Sequence, residues 1–194
     1  MKKKIVLVML LSALAVVSCK GRPADNKAAV KSSAVSPVSK PAAMPPPYQP
    51  AFAGDKLEAR VKNIVLRYNE LLVFGYENLN MNFLQEVATP EQAEKAYFHM
   101  AAIGEGRVRM RSHLKKIDWA RIDVSTPGKA VVQTNEVWDF AYHDIKTDKK
   151  GQEEKDFVYH ITYTIAREKD GRWLISDIAA TSDEKGKPAP KPRQ

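Results

Sequence analysis

The sequence has one cysteine, Cys19, among its 194 residues. A single thiol cannot form a disulfide within the chain, and it excludes a zinc site built from several cysteines. Any folded part must therefore be held together by a hydrophobic core. The cysteine is informative through its position near the N-terminus.

The sequence also has none of the short motifs that mark common catalytic and nucleotide-binding sites. It contains no P-loop, no dinucleotide-binding fingerprint and no G-x-S-x-G turn. We therefore predict no cofactor. We also predict no metal site, because the four histidines lack the spacing of a metal-binding pair and suit structural or surface roles: His99, His113, His143 and His160.

Basic residues are not in excess in the middle of the chain, although the whole chain has a net charge of +8. Between Asp55 and Ala180 there are 19 Lys+Arg and 20 Asp+Glu, so the excess lies in the two ends. Nucleic acid is therefore not an expected partner. The densest basic run of this region could bind a carboxylate, a phospholipid headgroup or a wall polymer, but a solvated edge balanced by acids is the favoured interpretation: Arg107, Arg109, Arg111, Lys115 and Lys116.

No hydrophobic run reaches the roughly 20 residues that a membrane-spanning helix needs. The longest one, from Ile5 to Val17, is broken only by Ser12 and follows three lysines. This pattern predicts a signal peptide over residues 1–18. The residues Val16-Val17-Ser18-Cys19 resemble the lipobox of bacterial lipoproteins.

The lipobox resemblance implies cleavage before Cys19 and attachment of acyl chains, such as palmitate, to that residue. Two or three chains would give lasting membrane attachment. Lys20 stands where lipoproteins retained in the inner membrane of enteric bacteria have aspartate, so the implied location is the outer membrane, facing the periplasm. The alternative is an ordinary cleaved signal peptide in which Cys19 is incidental.

Two segments are rich in Pro, Ala, Ser and Lys and have little apolar bulk. Their composition predicts a lipidated, disordered spacer over residues 19–53 and a disordered basic tail over residues 182–194. Between them, residues 54–181 are predicted to form the folded domain.

The first half of this domain has helical periodicity. Asp55 to Glu58 match a capping box at the start of an apolar stripe, and Gly75 is expected to end that helix. A short helix is predicted from Met81 to Glu86. Thr89-Pro90 predicts the start of another helix, with an inner stripe of Ala93, Ala96, Tyr97, Met100 and Ala101.

After Ile117 the periodicity changes to two, which predicts strands. Lys146 to Lys155 is expected to be a polar hairpin tip, and Trp173 to Ala179 the last strand. The prediction is an α+β fold, in which the N-terminal helices cover a curved antiparallel sheet of about four strands. Its bulky face would include Val132, Thr134, Glu136, Trp138, Phe140 and Tyr142 on one strand and Phe157, Tyr159, Ile161, Tyr163 and Ile165 on the next.

From about Lys56 to Ala180 the pattern resembles the nuclear transport factor 2-like (SnoaL-like, cystatin-like) superfamily. The resemblance rests on the long first helix, the turn region from Asn69-Glu70 to Phe83, and the closing run from Asp170 to Ile178. Asn135 to Trp138 and Tyr163 to Arg167 also look like the C-terminal domain of plastid-division proteins. The superfamily includes isomerases, dehydratases and epoxide hydrolases as well as non-catalytic binding domains, so the resemblance implies a fold and not an activity.

Glu136 is the candidate for chemistry, because its register places a carboxylate among large aromatic side chains. It is either a general acid or base in a pocket, a carboxylate at the sheet edge, or a carboxylate paired with an arginine such as Arg107 or Arg111. No further catalytic group accompanies it in the sequence, so no catalytic residue is assigned. The pocket-lining candidates are Trp138, Phe140, Tyr142, Tyr159 and Tyr163.

The favoured function is a membrane-anchored, non-catalytic envelope domain that binds a protein partner or a small ligand. One alternative is a pocket lyase or isomerase that uses Glu136. Another is an accessory lipoprotein that contacts the cell wall through its basic, proline-rich segments. Formation of a homodimer remains open.

Overall fold

The computed structural model describes residues 43–182. Two α-helices and a short 3-10 helix precede four strands, which form one antiparallel sheet in the order β1-β2-β3-β4. The predicted α+β fold is confirmed. The predicted signal peptide, Cys19 and the tail beyond residue 182 lie outside the described residues. None of the helices within residues 43–182 has both the length and the hydropathy to cross a membrane.

Helix α1 spans Leu57–Asn78 and lies with its apolar side on the sheet. The predicted stripe is present, with Val61, Val65 and Tyr68 buried. The predicted capping box is wrong, because the residue at the cap is Lys56, which makes no side-chain capping bond. Glu58 falls in the first turn, where its charge complements the helix dipole, and it pairs with Lys62 at 3.0 Å.

The end of α1 differs from the prediction. Gly75 lies inside the helix, which continues to Asn78 and ends where Leu79 adopts a left-handed conformation with φ of 53°. The amide of Asn80 donates to the carbonyl oxygen of Gly75 at 2.9 Å. Gly75 serves close packing instead of termination, because a Cβ at this position would overlap the Met81 sulfur.

Part of the predicted spacer contacts α1. Arg67, whose side chain is 4% exposed, donates to the carbonyl oxygen of Pro46 at 2.9 Å and lies over the Tyr48 ring. Asn63 exchanges two hydrogen bonds of 2.9 Å with the backbone of Phe52. These contacts attach the chain between residues 46 and 52 to the helix.

Helix α2 spans Pro90–Glu105, and its start was predicted correctly: Thr89 caps it by accepting from the amide of Gln92, and Pro90 is the first residue. Its inner stripe was predicted too wide, because Tyr97 is 49% exposed. The predicted short helix before it is the 3-10 helix Asn82–Glu86.

The four strands are β1 Val108–Asp123, β2 Lys129–Asp144, β3 Lys150–Arg167 and β4 Trp173–Ser182. Strand β1 starts well before Ile117, where the strand pattern was expected to begin. Register shifts after Leu114 and after Trp119 interrupt the alternation that identifies a strand in sequence.

The predicted polar hairpin tip was too long. Strand β2 runs to Asp144 and β3 begins at Lys150, so the turn is short. The Asp144 carboxylate closes it by accepting from the amides of Lys146 and Thr147 at 3.0 and 2.7 Å. Beyond the turn, the strands pair at Ala141–Glu153 and Phe140–Glu154.

The hydrophobic core extends from Met110 of β1, near one end of the sheet, to Ala130 and Val132 of β2, near the other. The segment before α2 is attached to β4 at this end: the amide of Thr89 donates to the Ile175 carbonyl oxygen and the amide of Ile175 to the Val87 carbonyl oxygen, both at 2.9 Å. Further along β2, the alternate residues Glu136, Trp138, Phe140 and Tyr142 face the space between the sheet and the helices.

Candidate functional site

A cavity of about 390 Å³ lies between the concave face of the sheet and the two helices, and its volume is in the range of small-molecule sites. Both helices and all four strands contribute to its wall. The helical contributors are Tyr68, Asn69, Leu72, Tyr76, Gln92, Lys95, Ala96 and His99. The strand contributors are Met110, Ser112, Glu136, Trp138, Phe140, Tyr142, Glu154, Phe157, Tyr159, Ile161, Tyr163, Ile178 and Ala180.

The structure brings Glu136 and all five pocket-lining candidates together in this wall: Trp138, Phe140, Tyr142, Tyr159 and Tyr163. They share a face because alternate residues of a strand point to the same side. Trp173, another aromatic residue of the sheet, packs against the core instead. Cys19, the predicted lipidation site, lies outside residues 43–182.

Sequence reasoning missed the contribution of the helices. Tyr68, Leu72 and Tyr76 follow each other at intervals of four on α1, which is the signal that one side of the helix faces the cavity. Asn69, Lys95 and His99 carry no comparable signal, since a polar residue on a helix is usually solvated.

Aromatic rings form a continuous part of the strand wall. The rings of Trp138 and Phe140 stack with 6.0 Å between centroids and 10° between planes. Phe140 meets Phe157 and Tyr159 edge to face at 6.0 and 6.2 Å. Phe157 and Tyr159 approach to 4.6 Å. This packing fixes the wall in place and presents ring surface to whatever enters.

Glu136 is 0% exposed and accepts four hydrogen bonds. Its Oε1 accepts from the Tyr163 hydroxyl at 2.9 Å, the Thr134 hydroxyl at 2.9 Å and the Asn69 amide at 3.2 Å. Its Oε2 accepts from the Trp138 indole nitrogen at 2.9 Å. A carboxylate buried in this way is stabilised by fixed dipoles.

The donors come from three elements, so the carboxylate links α1 to the sheet. Thr134 and Trp138 lie two residues before and after Glu136 on β2, Tyr163 lies on β3, and Asn69 lies on α1. The Asn69 amide nitrogen and the Trp138 indole nitrogen can only donate to the carboxyl group, while the single hydrogen of the Tyr163 hydroxyl lies within reach of both Glu136 Oε1 and Asn69 Oδ1, the latter at 3.2 Å. Glu136 is therefore placed as an acceptor.

The expected pairing of Glu136 with an arginine is wrong for Arg111. The Arg111 guanidinium instead donates to Glu77 at 3.1 Å and to Asp148 at 3.2 Å. Within residues 43–182, no Lys, Arg or His side chain forms an ion pair with Glu136, so its charge is offset by neutral donors alone.

Most of the basic run near β1 has nearby acidic partners, as the favoured interpretation expected. Arg109 pairs with Asp148 at 2.7 Å, and Lys116 with Asp118 at 2.7 Å. Lys115 pairs with Asp156 and approaches Asp139 to 3.7 Å. Asp139 points away from Glu136, and the Asp156 amide that donates to it lowers the pKa of Asp139.

The tyrosines of the cavity stay protonated at neutral pH. Burial raises the pKa of Tyr68 to about 12. Burial, followed by the charge of Glu136, raises the pKa of Tyr163 well above its usual value. The Tyr163 hydroxyl therefore remains a hydrogen-bond donor to Glu136 over the physiological range.

The groups on the helical side of the cavity are already engaged. The Lys95 ammonium pairs with Asp177 at 2.9 Å. His99 shares a hydrogen bond with the Tyr76 hydroxyl, and partial burial lowers the pKa of the His99 ring, which keeps it neutral at physiological pH. Burial likewise raises the pKa of Tyr76. On the strand side, Glu154 accepts from the Gln152 amide at 3.2 Å.

In the described part of the chain, no cluster of three or more His, Cys, Asp or Glu side chains is arranged to hold a metal ion. What the site offers is one buried carboxylate, a hydroxyl-rich and aromatic wall, and a volume for one small molecule.

No family model matches the chain, and no curated protein matches it. Solved structures do match. The crystal structure of the intermembrane space region of chloroplast protein ARC6 has a TM-score of 0.55 at 15% identity, and the match covers 67% of this chain and 100% of that one. Lower scores are given by a periplasmic fragment of TraM, with TM-score 0.46, 11% identity and coverages of 63% and 98%, and by a structure from Catenulispora acidiphila, with TM-score 0.44, 12% identity and coverages of 66% and 95%.

At these identities the likeness concerns the fold alone. The expected fold is supported by its likeness to the intermembrane space region of chloroplast protein ARC6. The described residues thus form an α+β domain with a cavity on the concave side of the sheet.

Proposed function

We propose that this protein is a lipid-anchored envelope protein whose α+β domain binds a small ligand in its cavity without transforming it. The observation that carries the proposal is the Glu136 carboxylate, which is fully buried in the cavity wall and held by four donors. A group fixed so firmly from several elements is preorganised for recognition.

The same geometry disfavours catalysis. A general acid or base must exchange its proton with a reacting group within hydrogen-bond reach. Three of the donors to Glu136 occupy Oε1, so Oε2 is the carboxylate oxygen with capacity for a substrate proton. A second acid–base group is also needed, and the candidates among the described residues of the wall are engaged: His99 is bonded to Tyr76, and Glu154 accepts from Gln152.

A lyase or isomerase that uses Glu136 is the second candidate, because Glu136 does line the cavity. The two functions separate by what happens to the bound molecule. A binding domain returns its ligand unchanged after prolonged incubation, whereas an enzyme returns a product.

Cavity binding is tested by filling the cavity. Ser112 lines it from β1, and His113 lies on the other, exposed side of the same strand. The full lipidated chain in lipid nanodiscs is titrated with phenylnaphthylamine, an uncharged fluorescent probe, against empty nanodiscs. The wild type and the control His113→Trp are expected to bind one equivalent, and Ser112→Trp to lose it. Equal binding by both variants would place the probe elsewhere and refute ligand binding in the cavity.

The lipid anchor is supported by the lipobox that ends at Cys19 and the apolar run before it. Replacement of Cys19 by Ser removes the thiol that accepts the acyl chains. We expect this variant to lose palmitate labelling, while Ser12→Ala, in the same segment, keeps it. Palmitate labelling of the Cys19→Ser variant at the wild-type level would exclude anchoring through this residue.

A further inference from the structure

We propose that the cavity selects an organic cation, namely a primary or secondary ammonium group carried on a small apolar body. The proposal rests on the ligand-binding function above and names the class of ligand. It follows from the charge of Glu136, the free acceptor capacity of one carboxylate oxygen, the ring surface of the wall and the state of the remaining charged groups.

The first step is the uncompensated charge. Glu136 is 0% exposed, and no cationic side chain within residues 43–182 forms an ion pair with it. Burial of a charge is costly unless hydrogen bonds and an opposite charge offset it. Here the hydrogen bonds are present and the opposite charge is not. An ammonium ion in the cavity would supply it.

The second step is the unequal use of the two oxygens. Oε1 accepts three hydrogen bonds, whereas Oε2 accepts only the one from the Trp138 indole. A carboxylate oxygen can accept about two, so Oε2 retains room for another donor. Because Glu136 has no exposed surface, an N–H of an ammonium group would reach Oε2 only after the neighbouring side chains shift, and it would then form a charge-assisted hydrogen bond there. A quaternary ammonium has no N–H to offer, which makes it a weaker ligand.

The third step is the surface around the carboxylate. Trp138 and Tyr163, which donate to Glu136, also line the cavity, and further rings extend the wall from there. The faces of Trp, Tyr and Phe rings attract cations, and the attraction strengthens when water is excluded. The additional cavity-lining rings are Tyr68, Tyr76, Phe140, Tyr142, Phe157 and Tyr159.

The fourth step concerns the other charged groups of the wall. Lys95 has its own partner in Asp177, and the His99 ring is neutral because its pKa is lowered. Glu154 adds a second carboxylate. An anionic ligand would therefore meet two carboxylates and no unpaired cation, so the site discriminates by the sign of charge.

The test is a series of probes with similar bodies and different charges: phenethylamine, which is a cation at neutral pH, phenethyl alcohol, which is neutral, and hydrocinnamate, which is an anion. Each displaces phenylnaphthylamine from the full lipidated chain in nanodiscs made of uncharged lipid. We expect the amine to bind about tenfold more tightly than the alcohol, which corresponds to one strong additional interaction. Hydrocinnamate is expected to bind most weakly, and phenethyltrimethylammonium to fall between the amine and the alcohol.

Two variants locate the effect. Glu136→Gln should reduce the affinity for phenethylamine about tenfold and leave that for phenethyl alcohol within about threefold. Glu153→Gln makes the same change of charge next to Glu154, but Glu153 does not line the cavity, and it should leave both affinities within about threefold. Circular dichroism establishes that each variant is folded. If Glu136→Gln does not fold, the comparison of the probes on the wild-type protein still tests the preference for a cation.

The outcomes separate the two proposals. If the alcohol or hydrocinnamate binds as tightly as the amine, or if no member of the series displaces the probe, selection of a cation is wrong while binding in the cavity stands. If the amine is preferred equally by wild type and Glu136→Gln, the assignment to this carboxylate is wrong. If phenylnaphthylamine itself does not bind, the ligand-binding function fails first, and the preference for a cation fails with it.

Discussion

At the scale of single residues, Glu136 differs from the paired surface carboxylates of the domain in the groups that stabilise its charge. The Asp148 carboxylate, for example, is half exposed and pairs with Arg109 and Arg111, and such surface pairs contribute little to stability. Glu136 has no contact with solvent and depends on neutral donors. Removal of one of these donors leaves a buried charge without one of its hydrogen bonds. Such a change lowers the free energy of unfolding more than the loss of a solvent-exposed pair does.

Tyr163→Phe is the mildest way to remove such a donor, since it deletes only the hydroxyl 2.9 Å from Glu136 Oε1. We expect a loss of about 1–3 kcal/mol in the free energy of unfolding, measured by urea denaturation. The matched change Tyr97→Phe, on an exposed ring of α2, should cost less than about 0.5 kcal/mol. Equal effects of the two changes would contradict the role given to the Tyr163 hydroxyl.

The strand period is sufficient to place Glu136 on one face with Trp138, Phe140 and Tyr142, because that period is local. It cannot identify Asn69 as a donor. That contact joins residues 67 positions apart and depends on the rotation of α1 above the sheet. For the same reason the bond between Tyr76 and His99 could not be read from the sequence, since it depends on how the two helices lie against each other.

At the scale of elements, Gly75 shows why a helix end that was predicted from a single glycine was wrong. Glycine in a left-handed conformation commonly ends helices, and the sequence prediction used this tendency. Here the left-handed residue is Leu79, and Gly75 is buried where the chain turns back over the helix. The cause is tertiary, because Met81 is only 3% exposed and needs the space beside Gly75.

Gly75→Ala should therefore destabilise the domain although alanine favours helices. Its Cβ would overlap the Met81 sulfur and lie 3.1 Å from the Asn80 carbonyl oxygen. Overpacking of this kind costs about 1–3 kcal/mol, which exceeds a gain in helix propensity of about 1 kcal/mol. The free energy of unfolding in urea measures the balance.

Gly104→Ala is the matched control, because Gly104 also lies in a helix but has its nearest neighbour 4.0 Å away, at Leu79 Cδ2. It should be neutral or stabilise the domain by up to about 1 kcal/mol. A stabilising Gly75→Ala would mean that the Met81 side chain moves aside without loss.

The strands show a second way in which prediction from local sequence patterns fails. Strands β2 and β3 alternate regularly along their central parts and were identified, whereas the first part of β1 was not. Register shifts after Leu114 and Trp119 interrupt the alternation of β1, and in its first part the charged residues Arg109 and Arg111 flank the buried Met110. The shifts add twist to the sheet, so the feature that hid the strand also contributes to the curvature around the cavity.

At the scale of the whole molecule, the cavity exists because the helices cover only part of the sheet. The order of helices and strands was enough to predict two layers, since a sheet with one apolar face needs a cover. It was not enough to predict the gap, which depends on where the segment before α2 is bonded to Ile175. The gap is what leaves the aromatic rings of the wall available to a ligand.

Unfolding at alkaline pH tests whether the tyrosines of the cavity wall are buried. The ordinary pKa of tyrosine is near 10, and burial raises the pKa of Tyr68 to about 12 and also raises the pKa of Tyr76 and of Tyr163. A pKa that is higher in the folded state gives stability that is complete below pH 10 and is lost as the pH rises through the folded value. We expect the Tm to fall between pH 10 and pH 12, together with the appearance of tyrosinate absorbance.

Tyr68→Phe removes one of the groups that release a proton on unfolding, so the decline of its Tm with pH above 10 should be shallower than that of the wild type. The control Tyr97→Phe, on the exposed side of α2, should keep the wild-type slope. If both variants decline in parallel with the wild type, Tyr68 does not titrate as a buried group. The ring would then be open to water, and so would the wall that it shares with Glu136.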